Sequence, residues 1–173
     1  KDKVTVPIIK NGAISKIIFE KNDSNYCFDD SRVVVGKDRR YLTSMSRIVI
    51  LVSEDGYHFK DTNISILPDN EYETFGIEDP RITKIDDIYY ITYSSISEKG
   101  ICASLAKTKD FKNIIKCGII FYPENKDLVL FPRKINDEYV VIHRPSCSEF
   151  SKPEMWLSYS KDLEYFGKNK QLL

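Results

Sequence analysis

Four consecutive residues, Glu78-Asp79-Pro80-Arg81, set two carboxylates and a guanidinium directly ahead of an apolar alternating run, Ile85 to Tyr93. A carboxyl can give up a proton, and a guanidinium holds anions through a planar set of N–H donors, so the group has the parts for acid catalysis beside an anion. On a regular strand Asp79 and Arg81 share one face and Glu78 takes the other. The plainer alternative is a turn at a strand start, with Pro80 fixing the backbone and Asp79 and Arg81 forming a surface ion pair of little energetic weight. Arg47, Lys126, His143 and Arg144 are further basic or imidazole side chains whose roles need weighing. For His143-Arg144-Pro145 the competing reading is a strand end where Arg144 pairs with Asp127 or Glu149, and for Arg47 and Lys126 it is a solvated surface cation.

From Cys27 onward the elements that would carry these residues fall into units of about 27–75, 76–124 and 125–173 within one domain spanning 1–173. Each opens with charge, runs through strands rich in Val, Ile, Tyr and Thr, and closes on a Ser/Thr-x-Asp turn at Asp55, Asp110 and Asp162. No segment keeps a 3.6-residue apolar period, so the chain reads as all-β. A repeat near 50 residues with about four short strands is the pattern of a β-propeller blade, and three units represent part of a ring. A β-sandwich also has many short strands but does not require the same opening and closing in register. The recurring Asp-x-Arg at 30–32 and 79–81 predicts that Asp30 and Asp79 enter equivalent innermost strands. Before Cys27, Val4 to Ile9 is strand-like and 20–25 reads as a loop. Three blades do not close a ring, so the ring is expected to be completed by further blades or by homo-oligomeric association.

Composition narrows the function classes. Lys plus Arg and Asp plus Glu are 26 each among 173 residues, so no overall field favours nucleic acid or an anionic membrane. The apolar runs are interrupted well before a membrane-spanning length. Cysteines 27, 102, 117 and 147 lack the spacing of a metal or redox motif and are expected to be reduced, which suits the cytoplasm. Gly-rich phosphate loops and paired Cys/His ligands are absent, so neither a nucleotide, a cofactor nor a structural metal is expected.

Gly76-Ile77-Glu78-Asp79-Pro80-Arg81-Ile82, then Asp127-Leu128-Val129-Leu130-Phe131-Pro132, then His143-Arg144-Pro145, resembles glycoside hydrolase family 130, the β-mannoside phosphorylases and β-mannosidases. Ser46-Arg47-Ile48 and Met155 to Leu163 fit as well, so the likeness runs from about residue 27 to the end. The resemblance implies a five-bladed β-propeller of which this chain is a part, since the family's later Tyr-His-Gly motif has no counterpart here. It implies that Asp79 is the general acid, that Glu78, Arg81 and Arg47 bind a β-mannoside, and that Arg144, Lys126 and His143 bind inorganic phosphate as co-substrate. Inverting phosphorolysis then yields mannose 1-phosphate without a second carboxylate. A β-mannosidase would instead need a base such as Glu78 or Glu149, and a catalytically silent carbohydrate-binding propeller fragment is the third reading. Arg81, expected on the same face as Asp79, would hold that carboxyl down, whereas an acid at neutral pH needs it raised, which burial or relay through a sugar hydroxyl could supply. The tyrosines at 41, 89, 90 and 93 and Trp156 are expected mostly in the core, and the closing aspartates as caps of their turns.

Overall fold

The computed structural model describes residues 2–146 and 152–172 and is all-β, with no helix among the described residues. The alternation of β-branched and aromatic residues resolves into fourteen strands among the described residues. The first six form hairpin pairs: β1 (Lys3–Lys10) with β2 (Ala13–Glu20), β3 (Val33–Val35) with β4 (Arg40–Leu42), and β5 (Ile48–Val52) with β6 (Lys60–Ile66). The β1–β2 turn is Asn11-Gly12, both residues at positive φ, the pairing that a tight two-residue hairpin demands.

Two four-stranded antiparallel sheets follow, each a simple meander. One holds β7 (Gly76–Ile85), β8 (Ile88–Ser97), β9 (Gly100–Thr108) and β10 (Ile115–Phe121). The other holds β11 (Asn125–Leu130), β12 (Tyr139–Pro145), β13 (Trp156–Ser160) and β14 (Gly167–Gln171). These are propeller blades stacked face to face. Ile85, Tyr90, Ala103 and Leu105 of the first pack on Leu128, Leu130, Val141 and Leu163 of the second. On its other face the first blade packs Ile77, Ile91, Tyr93 and Ala106 on Ile48 and Ile66. Strand β8 is therefore covered on both sides, which explains a run of buried residues where a one-sided strand would alternate. The terminal strand β14, Gly-Lys-Asn-Lys-Gln, is mostly exposed and polar, suiting the outer edge of a sheet.

The three closing turns share one construction. Asp55 accepts the N–H groups of Tyr57 and His58, Asp110 those of Lys112 and Asn113, and Asp162 those of Glu164 and Tyr165, at 2.8–3.0 Å. Ser53, Thr108 and Ser160 take the N–H of Gly56, Phe111 and Leu163, all at positive φ. The N–H donors hold the Asp110 carboxyl at about 2. These aspartates are spent on turns.

One expected equivalence does not hold. Asp30 precedes β3 rather than lying in a blade strand, and it accepts the Arg32 N–H at 2.9 Å while pairing with the Arg32 guanidinium at 2.8 Å. The Arg32 hydrogen bonds draw its carboxyl down to about 2. Asp-x-Arg at 30–32 is a self-contained turn, whereas Asp79 lies within β7.

Candidate active site

The register between β7 and β8 changes where the chemistry sits. Glu78 faces Ser94 and Arg81 faces Thr92, so Asp79 and Pro80 together oppose the single residue Tyr93. This is a β-bulge, and Asp79 adopts φ 53°, a left-handed conformation that aspartate tolerates better than most residues. The extra residue resets the alternation. Glu78 and Arg81 therefore share a face, contrary to the expectation that Asp79 and Arg81 would do so. Proline suits the second bulge position because its missing N–H is not called on by the ladder.

The start of β7 is fixed by contact. Ser46 bridges Gly76 in parallel, and Ile77 donates its N–H to the Ser46 carbonyl at 3.2 Å. Gly76 has φ 116°, and a Cβ there would lie 2.4 Å from the Ser46 nitrogen, so only glycine allows this approach. The bridge brings Arg47 alongside the opening of β7, exposed and without a partner among the described residues.

The inner strand of the next blade repeats the device. Lys126 faces Arg144 and Val129 faces Ile142, so Asp127 and Leu128 bulge opposite His143, with Asp127 at φ 56°. The two inner strands run in one direction side by side, with the Thr83 hydroxyl of β7 donating to the Leu130 carbonyl of β11 at 3.0 Å, while from β8 the Thr92 hydroxyl donates to the Leu128 carbonyl at 2.8 Å. Arg144 donates Nε and Nη2 to Asp127 Oδ2 at 2.8 and 2.6 Å, and Arg81 Nη2 stands 3.6 Å from Asp127 Oδ1. Burial pushes the Asp127 carboxyl up, but the hydrogen bonds from Arg144 and the charges of Arg144, Lys126 and Arg81 outweigh it and leave it below the usual range. The pairing of Arg144 with Asp127, the sequence-based alternative to anion binding, thus occurs, but inside a group of three cations around one carboxylate. The positive surplus remains. Arg144 uses two of its five donors, and Lys126 makes no hydrogen bond to a described residue.

Asp79 is exposed and forms no hydrogen bond or ion pair with a described residue, because Arg81 is turned to Asp127. The expected contact between Asp79 and Arg81 is thus absent among the described residues. Glu78 is likewise exposed, on the Arg81 face. Glu149 and Cys147 lie outside the described residues; Cys27, Cys102 and Cys117 are free thiols.

His143 does not join the cation group. It is 4% exposed, its Nδ1 meets the Asn125 amide, its Nε2 meets Ser158 Oγ at 2.7 Å, and its ring stacks on Phe121 at 4.2 Å. Burial lowers its pKa to about 4, so the ring is neutral and cannot serve as a phosphate cation. Being next to Arg144 in sequence places it on the opposite face of β12, which sequence proximity conceals. Conversely Asp127, which gathers the cations, stands in the sequence as the first residue of the Asp127–Pro132 stretch and as a possible partner of Arg144, with no role of its own. The signal that marks it is its position in a second bulge, visible once the strands are paired.

The model of a family described as beta-1,4-mannooligosaccharide phosphorylase matches residues 19–173. The chain is 44% identical over 169 residues to a beta-1,2-mannobiose phosphorylase of Listeria innocua serovar 6a, covering 95% of this chain and 48% of that protein. It is 34% identical over 145 residues to a 1,2-beta-oligomannan phosphorylase of Thermoanaerobacter sp. strain X514, covering 80% and 46%. The solved structure of the Listeria innocua beta-1,2-mannobiose phosphorylase in complex with beta-1,2-mannobiose superposes with a TM-score of 0.85 at 41% identity, over 99% of this chain and 51% of that one. The chain spans about half the length of these relatives.

Proposed function

The chain belongs to glycoside hydrolase family 130, and from that membership we propose that it is the part of a β-mannoside phosphorylase that carries the proton donor and much of the phosphate site. The substrate is a β-1,2-linked mannobiose or oligomannan, in line with the names of the Listeria and Thermoanaerobacter relatives. Inorganic phosphate is the co-substrate, with no cofactor or metal, and the free thiols fit a reducing cytoplasm.

The observation that carries this reading is the division of labour between two bulge aspartates. Asp79 is exposed and has no partner among the described residues, so it is placed to protonate the departing sugar oxygen directly or through a hydroxyl of the bound sugar. Asp127 instead binds and orients Arg144 within the cluster of Arg81 and Lys126, whose surplus charge suits a phosphate dianion. Phosphate held there attacks the anomeric carbon as the C–O bond to the departing sugar breaks, inverting the configuration. The oxygen that leaves takes the Asp79 proton. Glu78 and Arg47 flank the opening of β7 and are placed to hold sugar hydroxyls.

The test is product analysis with the full-length protein. Incubation of β-1,2-mannobiose with phosphate should give mannose 1-phosphate and mannose in equal amounts, and omission of phosphate should stop the reaction. Free mannose at an undiminished rate without phosphate would identify a hydrolase and overturn the reading.

A further inference from the structure

Glu73 is 1% exposed, a carboxylate placed in the loop between β6 and β7. A buried carboxylate is tolerated only when charge and hydrogen bonds compensate it, and this one is fully engaged. Its Oε2 takes the Asp69 N–H at 3.0 Å and pairs with the Lys116 ammonium. Its Oε1 takes the hydroxyl of Tyr93 at 3.2 Å and that of Ser95 at 3.4 Å. Its main-chain carbonyl takes the N–H of Gly76 at 2.8 Å, at the start of the strand that carries Asp79. Tyr93 is the residue that the Asp79–Pro80 bulge straddles. Burial first, and the Glu73 carboxylate second, raise the Tyr93 phenol far above its usual range, so it stays a donor.

One residue thus grips both sides of the bulge, the strand bearing Asp79 through Gly76 and the facing strand through Tyr93. We infer that Glu73 is a positioning residue for Asp79, holding the bulge so that the acid meets the departing oxygen; this rests on the reading of Asp79 as proton donor. If Glu73 only stabilised the sheet, its loss would affect all substrates alike. A positioning role affects only those whose leaving group needs the proton.

The experiment uses Glu73→Gln, Tyr93→Phe and Asp79→Asn in the full-length protein, with phosphate and two substrates, β-1,2-mannobiose and 2,4-dinitrophenyl β-mannoside, whose phenolate departs unprotonated. Glu73→Gln and Tyr93→Phe should lower kcat on mannobiose by roughly ten- to a hundredfold, as misplaced catalytic groups do, with recovery to near wild-type rates on the aryl mannoside. The KM for phosphate should stay within about twofold, since ground-state phosphate binding is untouched. Should Glu73→Gln fail to fold, Tyr93→Phe, which deletes one hydroxyl, carries the test alone. Equal losses on both substrates, or full activity in Tyr93→Phe while Asp79→Asn is inactive on mannobiose, would overturn the inference but leave the acid assignment standing. Turnover of mannobiose by Asp79→Asn at the wild-type rate would remove the acid assignment, and the role of Glu73 with it.

Discussion

Asp79 and Asp127 occupy the same position in successive blades, each the left-handed first residue of a bulge in its inner strand, yet only Asp127 is tied to arginines. A bulge makes a strand present one residue outside the ladder, and the repeat makes it do so twice along neighbouring walls. The difference between them lies with Arg81. Its guanidinium leans to the next blade rather than back to Asp79, so the same local geometry yields an acid without a described partner in one blade and an organising carboxylate in the other.

Asp79→Asn should remove nearly all mannobiose turnover while leaving the fold intact. Asparagine accepts left-handed φ at least as well as aspartate, and Asp79 has no described partner to lose. General-acid removal costs about a hundred- to ten-thousandfold in rate. Circular dichroism and kcat on mannobiose check the two halves, and a variant that unfolds or that keeps wild-type kcat contradicts the account.

Arg144→Ala should act on phosphate. Charge-assisted hydrogen bonds of this kind contribute about 1.5–3 kcal/mol, so the KM for phosphate should rise by roughly ten- to a hundredfold. Asp127→Asn should raise that KM too, by loosening Arg144, while kcat at saturating phosphate changes less than about tenfold because the proton supply is intact. Initial rates across a phosphate series decide it; a pure kcat effect in either variant would assign Asp127 and Arg144 elsewhere.

How much of this was legible in the sequence depended on whether the physics was local. The strands, the turn caps at Asp55, Asp110 and Asp162, and the charged group at 78–81 follow from residue types and short spacings. The hairpin at 3–20 is equally legible from Asn11-Gly12, whose residue types favour a tight turn. The faces of Asp79, Arg81 and His143 were not legible. A bulge inserts one residue into an alternation of period two, so every side chain beyond it changes face, and no spacing rule announces where that happens. The Asp-x-Arg at 30–32 misled for a related reason. Short polar triplets recur wherever turns do, and Asp30 with Arg32 satisfies itself without any strand.

Gly76→Ala should destabilise the protein by about 2 kcal/mol or more, since a non-glycine residue in such a backbone region carries strain of about 1–3 kcal/mol before any clash is counted. The added Cβ would fall 2.4 Å from the Ser46 nitrogen, which is backbone and cannot rotate away. The urea midpoint should drop, and activity should fall with it because Arg47 rides on the displaced segment. An unchanged midpoint would show that the close approach of Ser46 and Gly76 does not hold the opening of β7.

Protonation of His143 should contribute to the loss of stability in acid. Its folded-state pKa of about 4 lies below the usual 6.5, and the cause is burial among Asn125, Ser158 and Phe121, with no carboxylate among the described residues to stabilise the imidazolium. As pH falls, the unfolded chain therefore takes up the proton first. Stability is fully present above about pH 6.5 and is lost between there and about pH 4, by up to about 3 kcal/mol from this group alone. His143→Gln keeps an amide able to reach Asn125 and Ser158 but has no proton to gain, so it should lower stability at pH 7.5 yet flatten the fall between pH 6.5 and 4.5. Urea unfolding at those pH values separates the contributions. If the slope of stability against pH is the same in the variant and the wild type, the neutral buried histidine is not the group that titrates.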